Sequence, residues 1–282
     1  MIIPKFAWKR KIGEPLQSPG VVKVFGPEGG MPNFDDGYFQ GMPLGGFGAG
    51  TFSQSFRGDF CRWHLEIGKN LYKTIFPCQF GIFENGEAFI LNDYKPENGS
   101  LSSWNFKKQE GTYHALYPTA YFEYKDLNII QEQFTPIIPN NYQETCYPLA
   151  VFRWHIKNTK NKERELSILW GWKSFFGSKE NIFYQENGFS GLIFDNLIEE
   201  KNHTYGQMGV FSQNSEGVEV TCLSSFEESG DGKEVWKTFS KNGALASDLT
   251  PGTAKTADSP GAISAKIKLS PGENKIVTFI LA

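Results

Sequence analysis

Apolar residues recur at every second position in several short segments of this chain, and that alternation limits the possible folds more than any other feature. Within segment 151–172, Phe152, Trp154 and Ile156 alternate with charged or polar residues. After a polar turn, alternate positions are apolar again, at Leu166, Ile168, Trp170 and Trp172. A two-residue period is typical of strands that bury one face. We therefore predict two strands here, joined as a hairpin.

Turn residues predict further strands on both sides of that segment. Asn85 and Gly86 lie between two apolar runs, and the Asn-Gly pair favours the tight turn of a β-hairpin. Other strands are predicted at 120–134, in two runs around Asp126, at 218–226, and at 262–282, where Pro271 and Gly272 would form the turn of a hairpin.

Helical patterning is weak along the whole sequence. The best helical segment is 234–245, which would end near Gly243, whereas 249–262 has the composition of a loop. Aromatic residues make up 15% of the sequence and glycine 30 of its 282 residues, which suits short strands joined by turns. We predict an all-β chain, a large two-sheet antiparallel β-sandwich with few short helices, in which residues 1–282 form a single domain.

Charge and hydropathy exclude several classes of function. The net charge is −3, which argues against nucleic acid as a partner. No run of about 18 apolar residues could span a membrane, and the N-terminus lacks the apolar core of a signal peptide, so we expect a cytoplasmic protein. No CxxC pair occurs, and we expect buried free thiols at Cys61, Cys78, Cys146 and Cys222.

Segment 41–63, GMPLGGFGAGTFSQSFRGDFCRW, concentrates glycines before an Arg-Gly-Asp tripeptide. No lysine follows the glycines and no βαβ pattern surrounds them, which argues against a phosphate-binding or dinucleotide-binding loop. An adhesion role for Arg57-Gly58-Asp59 conflicts with its aromatic neighbours and with a cytoplasmic protein. Two alternatives remain open: a structural corner in which Arg57 and Arg62 bind carboxylates or carbonyls, or a loop that contacts a ligand or a neighbouring domain.

Residue spacing indicates no metal site, no cofactor and no catalytic set. The histidines are far apart in sequence, and no Gly-x-Ser-x-Gly nucleophile motif occurs. Adjacent carboxylates on a strand point to opposite faces, so such pairs are poor acid–base partners. The residues considered are His64, His114, His155, His203, Asp35-Asp36, Glu199-Glu200 and Glu227-Glu228. We expect His155 to face solvent or an interface.

Segment 41–63 resembles the N-terminal motif of glycoside hydrolase family 116, the family of bile-acid β-glucosidases and non-lysosomal glucosylceramidases. That motif reads approximately Gly-Ile/Met-Pro-Leu-Gly-Gly-x-Gly-x-Gly, followed by Phe-Arg-Gly-Asp/Glu-Phe-x-Arg-Trp. The matching positions are Gly41, Pro43, Leu44, Gly45, Gly46, Gly48, Gly50, Phe56, Arg57, Gly58, Asp59, Phe60, Arg62 and Trp63. Segments 3–16 and 148–170 are also similar to that family.

The resemblance implies a two-domain enzyme. Its first domain is a supersandwich-like β-sandwich, and its C-terminal (α/α)6 domain holds a glutamate nucleophile and an aspartate acid/base. In a retaining enzyme those carboxyl groups lie roughly 5 Å apart. Nothing in this sequence matches the second domain, so no catalytic residue is assigned and we predict that this chain alone is inactive. Its partners would be that catalytic domain, fused or separately encoded, and through it β-glucosides or glucosylated lipids.

We predict that the chain supports the catalytic domain and shapes the rim of its active site. The apolar strand that ends the sequence indicates a chain that is part of something longer. Residues expected at the interdomain face or the rim are Gly45, Gly46, Gly48, Gly50, Arg57, Asp59, Arg62 and Trp63.

Two alternative functions compete with this prediction. In the first, the chain is a free-standing carbohydrate-binding sandwich or the non-catalytic subunit of a split glycosidase, and Trp104 or Trp236 stacks on sugars. In the second, it is a truncated fragment with an exposed apolar interface, which would self-associate.

Overall fold

A computed structural model of the protein describes residues 3–14, 23–24, 30–31, 39, 41–66, 68–196, 206–246, 254–256 and 259–282. Strands dominate these residues, which confirms the predicted all-β class. The first strands are β1 (Trp8–Lys11), β2 (Lys23–Val24), β3 (Gly30–Met31), β4 (Pro43–Leu44), β5 (Thr51–Gln54), β6 (Phe60–Glu66), β7 (Lys69–Tyr72), β8 (Gln79–Glu84), β9 (Glu87–Ile90), β10 (Gly111–Leu116), β11 (Thr119–Tyr124) and β12 (Ile129–Phe134). The others are β13 (Ala150–Lys157), β14 (Arg164–Trp172), β15 (Glu180–Glu186), β16 (Phe189–Asn196), β17 (Gly206–Gln213), β18 (Val218–Leu223), β19 (Ala254–Thr256), β20 (Gly261–Leu269) and β21 (Asn274–Leu281). The helices within these ranges are α1 (Tyr142–Thr145) and α2 (Lys233–Asn242).

The strands form antiparallel sheets in two layers. One layer is a ten-stranded sheet in the order β1-β10-β11-β12-β13-β21-β17-β16-β15-β19. The other consists of a five-stranded sheet, β18-β20-β14-β8-β9, and a four-stranded sheet, β4-β5-β6-β7, while β2 and β3 pair separately. Buried residues of the three larger sheets form one continuous hydrophobic core. The predicted sandwich is thus confirmed, with one layer divided between two sheets.

Aromatic rings join the two layers across this core. The ring of Phe80 in β8 lies 5.3 Å from that of Phe152 and 5.0 Å from that of Trp154, both in β13. In the divided layer, Trp172 of β14 packs on Phe60 of β6 with ring centroids 5.3 Å apart. Large rings bury large apolar areas, so these contacts bind the three sheets into one core.

A second hydrophobic cluster covers the outer face of the five-stranded sheet. Helix α2 packs there against β8 and β9 and ends at Gly243, which takes φ 74°. The predicted helix is thus confirmed, with a glycine at its C-terminus as is common. Trp104 and Trp236 belong to this cluster, with 4% and 8% of their surface exposed and ring centroids 5.9 Å apart. The alternative in which these two rings stack on sugars is therefore wrong, because both are buried.

The predicted Asn-Gly hairpin and the strands predicted at 120–134 and 218–226 are confirmed. Strands β8 and β9 pair around Asn85 and Gly86, whose φ angles are 55° and 81°. Positive φ at both turn positions is what the Asn-Gly pair tolerates. Segment 120–134 forms the paired strands β11 and β12, and segment 218–226 contains β18.

The hairpins predicted at 151–172 and 262–282 are wrong, because the two strands of each lie in opposite layers. β13 and β21 belong to the ten-stranded sheet, whereas β14 and β20 belong to the five-stranded sheet. Both β14 and β20 are buried along most of their length, between the main core on one face and the α2 cluster on the other. Strands buried on both faces need a sheet that is covered on both sides, which the ten-stranded sheet is not.

Asn158 ties together the two connections that cross between the layers. Its side-chain Nδ2 donates to the carbonyls of Lys162, Leu269 and Ser270 at 2.8, 3.0 and 3.0 Å. Its backbone N–H donates to the carbonyl of Glu273 at 2.9 Å. Because Asn158 is fully buried, these bonds fix both crossings in one place.

Three cysteines match the prediction and one does not. Cys61, Cys78 and Cys222 are buried free thiols, and burial raises the pKa of each. Cys146 is free but exposed, which corrects the prediction, because it follows the short surface helix α1. A thiol at this position reaches solvent although its neighbour Thr145 is buried.

The remaining predictions concern polar residues and the long loop. His155 lies on the outer face of the ten-stranded sheet, as predicted, with Nε2 3.0 Å from a carboxylate oxygen of Glu132. Half of the loop predicted at 249–262 falls outside the described residues, and the described half includes β19 and the first two residues of β20. Asp35-Asp36, Glu199-Glu200 and His203 also lie outside the described residues.

Within the described ranges, no helix is both long and apolar enough to cross a membrane.

Candidate functional site

The glycine-rich segment forms a β-hairpin at one end of the sandwich. Strands β4 and β5 pair, and residues 45–50, which we call the glycine loop, connect them. Gly45 takes φ 123°, and a Cβ atom there would lie 2.3 Å from the carbonyl oxygen of Gly50. Only glycine permits this backbone angle together with this close approach. The base of the loop is therefore a structural corner.

The glycine loop is held against the connection between β12 and β13, residues 135–149. The backbone N–H of Gly45 donates to Thr135 Oγ1 at 2.7 Å. The backbone N–H of Phe47 donates to the carbonyl of Thr145 at 2.9 Å. The loop thus has a defined position although its sequence is rich in glycine.

The base and the tip of the loop differ in how closely they are packed. A Cβ atom on Gly46 would lie 2.3 Å from the carbonyl oxygen of Tyr147, so the two backbones touch there. A Cβ atom on Gly48 would meet nothing within 4 Å. Beside Gly48, the Phe47 ring has 68% of its surface exposed. The loop therefore presents an apolar ring to solvent from a fixed base.

The Arg-Gly-Asp turn between β5 and β6 is an internal ion pair. Arg57 Nε and Nη2 donate to the two carboxylate oxygens of Asp59 at 2.9 and 2.8 Å. The hydroxyls of Ser55 and Thr74 also donate to this carboxylate, each at 2.5 Å. Burial lowers the pKa of Arg57, but the hydrogen bonds and charge of Asp59 outweigh burial and raise it. Adhesion is excluded, because Asp59 has no exposed surface.

Arg62 and Trp63 are neighbours on β6 and point to opposite faces. Trp63 packs in the core with 1% of its surface exposed, and its Nε1 donates to the carbonyl of Lys73 at 3.0 Å. Arg62 is partly exposed, with its guanidinium 5.8 Å from the ring centroid of Tyr72. Partial burial and the charge of Arg62 lower the pKa of His64 on the same strand.

The residues predicted at the interdomain face or rim differ in accessibility. Gly48 is exposed, and Arg57 and Arg62 are partly exposed. Asp59 and Trp63 are buried and have no surface to offer another domain. The other three, Gly45, Gly46 and Gly50, allow the loop backbone to pack closely against neighbouring backbone. The eight residues thus belong to two consecutive hairpins, with the glycine loop at the start of β5 and the Arg-Gly-Asp turn at its end. Their accessible parts are the loop tip and the two arginines.

Large apolar side chains are exposed at the end of the sandwich where the glycine loop lies, and the sequence pattern does not single them out. We call this set the apolar end; its members are Phe6, Trp8, Phe47, Leu116, Tyr117, Ile138, Tyr142 and Tyr147. Their exposed fractions run from 39% for Ile138 to 94% for Phe6. Most lie in connections or at strand ends, where no sequence period indicates which way a side chain points.

Strand register places the apolar end at one end of the ten-stranded sheet. Trp8 is opposite Ala115, so the N-terminal segment meets the turn between β10 and β11. Thr119 is opposite Phe134, so the connection after β12 begins beside that turn. Because the first residue of β13 is opposite Leu281, β21 also ends here.

A small cavity of about 230 Å³ lies between the glycine loop and the end of β21. Its walls are mostly apolar and include Phe52, Leu65, Phe176 and Met208, and Ala282 also lines it. Within the described residues, no group of three or more His, Cys, Asp or Glu side chains could hold a metal ion. The corner offers apolar contact surface rather than catalytic groups.

Two solved structures have low similarity to this chain. A protein from the human microbiome described as a kojibiose phosphorylase matches with TM-score 0.30 and 10% identity, covering 72% of this chain and 21% of that chain. A family GH92 alpha-mannosidase from Bacteroides thetaiotaomicron, in complex with mannoimidazole, matches with TM-score 0.35 and 9% identity, covering 87% of this chain and 30% of that chain. The chain therefore spans less than a third of either protein.

A protein-family model identifies the chain. The model described as "beta-glucosidase 2, glycosyl-hydrolase family 116 N-term" matches residues 41–282. The match begins at the first glycine of the glycine-rich hairpin and covers both layers of the sandwich. The chain belongs to the N-terminal domain family of glycoside hydrolase family 116.

Proposed function

We propose that this chain is the β-sandwich domain that supports the C-terminal (α/α)6 catalytic domain of a retaining β-glucosidase or glucosylceramidase-like enzyme. The catalytic domain docks on the apolar end, and the glycine loop lies beside the rim of the active site. Substrates of the assembled enzyme are β-glucosides or glucosylated lipids, and the protein works in the cytoplasm. The chain, residues 1–282, acts as one domain.

The apolar end is the observation that supports this proposal most strongly. Ten large apolar side chains are exposed in the described part of the chain, and eight of them belong to the apolar end. The other two, Tyr94 and Ile276, lie elsewhere. Clustered exposed aromatic rings are typical of protein interfaces, because an uncovered patch of this kind promotes association.

The separate roles proposed for this chain and for the catalytic domain follow from the resemblance to family 116. The resemblance assigns the nucleophile and the acid/base to the C-terminal domain, where they would lie roughly 5 Å apart. This chain would therefore contribute position and shape. Phe47 is suited to contact the catalytic domain. Its backbone N–H donates a hydrogen bond to the carbonyl of Thr145 at 2.9 Å, which fixes its position, while its ring is exposed.

The proposal is tested by association with a catalytic domain supplied as a separate chain. The 282-residue chain is mixed with the helical domain of a family 116 β-glucosidase, and sedimentation velocity and hydrolysis of a β-glucoside are measured. We expect a complex, with activity greater than that of the helical domain alone. The double variant Phe47→Ser, Tyr142→Ser should weaken association at least tenfold, because exposed aromatic rings at interface centres each contribute roughly 1–2 kcal/mol or more.

The matched control is Ile276→Ser, which removes a half-exposed apolar side chain outside the apolar end. Association should be unchanged in this variant. The proposal fails if the wild-type chain does not associate, or if the control weakens association as much as the double variant does.

A further inference from the structure

A second and larger cavity lies beside the Arg-Gly-Asp turn and has no part in the proposed docking. Its volume is about 710 Å³. Four segments build it: the connection after β7, the loop after β9, the segment after β18 and the residues before β20. Lining residues include Phe76, Tyr94, Glu97, Asn98, Glu227, Glu228 and Ser259. Cavities of about 300–1,000 Å³ with aromatic walls and a few polar groups are typical of small-molecule sites.

One wall of this cavity is a pair of aromatic rings held in place from behind. The rings of Phe76 and Tyr94 lie with centroids 5.3 Å apart. The guanidinium of Arg57 lies 3.8 Å from the ring centroid of Tyr94, and Asp59 fixes that guanidinium through two hydrogen bonds. Tyr94 keeps 37% of its surface exposed. A ring backed by a fixed cation is pre-organised for stacking, which lowers the entropy cost of binding.

Other residues of the lining accept and donate hydrogen bonds. Glu227 accepts a hydrogen bond from the hydroxyl of Ser229 at 2.9 Å, and Glu228 is paired with the ammonium of Lys173. Ionised carboxylates have several acceptor positions, so both retain capacity for a ligand's hydroxyl groups. The hydroxyl of Ser259 is buried and has no hydrogen-bond partner among the described residues.

The charges of the cavity favour a neutral ligand rich in hydroxyls. A metal ion is disfavoured, because no group of three or more His, Cys, Asp or Glu side chains in the described ranges could hold one. A phosphate is disfavoured as well, because three carboxylates line the cavity, those of Glu97, Glu227 and Glu228. An aromatic ring face and hydroxyl-binding carboxylates in one cavity match a pyranose ring, which has C–H groups on one face and hydroxyls around its edge.

We propose that this cavity binds a neutral pyranoside, stacked on Tyr94 and hydrogen-bonded to Glu227 and Glu228. The choice of a β-glucoside as the sugar rests on the proposed function, whereas the cavity itself belongs wholly to this chain. The Arg-Gly-Asp turn thereby gains a second role as the support of a sugar-stacking ring.

The test is a titration of the 282-residue chain with methyl β-glucopyranoside and with cellobiose, by calorimetry and ligand-detected NMR. We expect saturable binding with a Kd on the order of 1 mM. Tyr94→Ala should weaken binding at least tenfold, since it removes the stacking face, and Glu228→Gln should weaken it severalfold. Tyr142→Ala is the matched control: it removes an exposed ring of the apolar end and should leave sugar binding unchanged.

Thermal melting of each variant establishes that it is folded. Absence of saturable binding by the wild-type chain would overturn the proposal, as would equal weakening by Tyr94→Ala and Tyr142→Ala. The two proposals fail separately: a chain that binds glucoside without associating contradicts only the docking proposal. A chain that associates without binding glucoside contradicts only the sugar site.

Discussion

Arg57 and Asp59 form a two-bonded ion pair inside the turn between β5 and β6, with N–O distances of 2.9 and 2.8 Å. Asp59 is fully buried, so its replacement by asparagine removes the counter-charge of Arg57 and turns one of the two acceptor oxygens into an NH2 donor. We expect Asp59→Asn to lower the free energy of unfolding by about 3 kcal/mol. Urea titration followed by tryptophan fluorescence measures this, with the exposed Asp93→Asn as the control. Equal effects of the two changes would contradict the role given to the pair.

The buried pair of Glu84 and Arg164 makes stability depend on pH. Arg164 Nε and Nη2 donate to the Glu84 carboxylate at 3.0 and 2.8 Å, and Lys160 Nζ donates to it at 2.8 Å. Burial raises the pKa of Glu84, but these donors outweigh burial and hold the pKa below its ordinary value. A carboxyl with a depressed folded-state pKa stabilises the fold above its unfolded-state pKa of about 4.3. That stabilisation is lost as pH falls through the folded-state pKa.

The expected outcome is a fall in Tm below about pH 4 that is shallower in Glu84→Gln than in the wild-type chain. At neutral pH, the same variant should melt at a lower temperature, because the buried Arg164 loses its counter-charge. Calorimetric scans from neutral to acidic pH provide both comparisons. Glu87→Gln, at an exposed position, should leave the wild-type slope intact. Parallel curves for wild type and Glu84→Gln would refute the assignment.

Two glycines of the same loop should respond differently to alanine. At Gly46, the added Cβ would lie 2.3 Å from the carbonyl oxygen of Tyr147, so the loop must move. At Gly48, the Cβ meets nothing within 4 Å, and only the φ angle of 81° opposes it. We expect a loss of about 1 kcal/mol for Gly48→Ala and about 3 kcal/mol for Gly46→Ala. Chemical denaturation ranks the two, and a larger loss for Gly48→Ala would contradict the packing of the loop.

Thiol labelling should distinguish Cys146 from the other cysteines. Cys146 is exposed, whereas the three others are buried with raised thiol pKa values. We expect one thiol of the native chain to react quickly with Ellman's reagent and the rest to react on unfolding. Cys146→Ser should abolish the fast phase. Addition of the catalytic domain should slow that phase, since Cys146 lies beside the glycine loop within the proposed interface.

Local features, which depend only on residues close together in the sequence, could be predicted. The Asn85-Gly86 turn and the end of α2 at Gly243 require particular backbone angles, and the residue types reveal them. The layer to which β14 belongs could not be predicted. Apolar alternation indicates a strand with one buried face, but it does not reveal that the other face is buried as well. In β14 the other face is covered by the cluster that contains α2, which is remote from β14 in sequence.

The candidate site shows the same division. The structural corner at the base of the loop could be predicted from its glycines, because close backbone approach excludes every other residue type at Gly45. The exposure of Phe47 and Tyr142 was not predictable, because the sequence offers the same aromatic residues to the core and to the surface. Exposure there depends on which strand ends meet, and this is a property of the assembled sheet.

The last two strands occupy interior places in opposite layers: β20 lies between β18 and β14, and β21 lies between β13 and β17. Within the described sheet, β17, β16, β15 and β19 reach the other strands only through β21. During synthesis, neither the ten-stranded nor the five-stranded sheet becomes continuous until residues 261–281 have left the ribosome. From the synthesis of β13 and β14 until residues 261–281 emerge, each of these two strands has one unpaired edge, and such edges expose a growing chain to misfolding and aggregation.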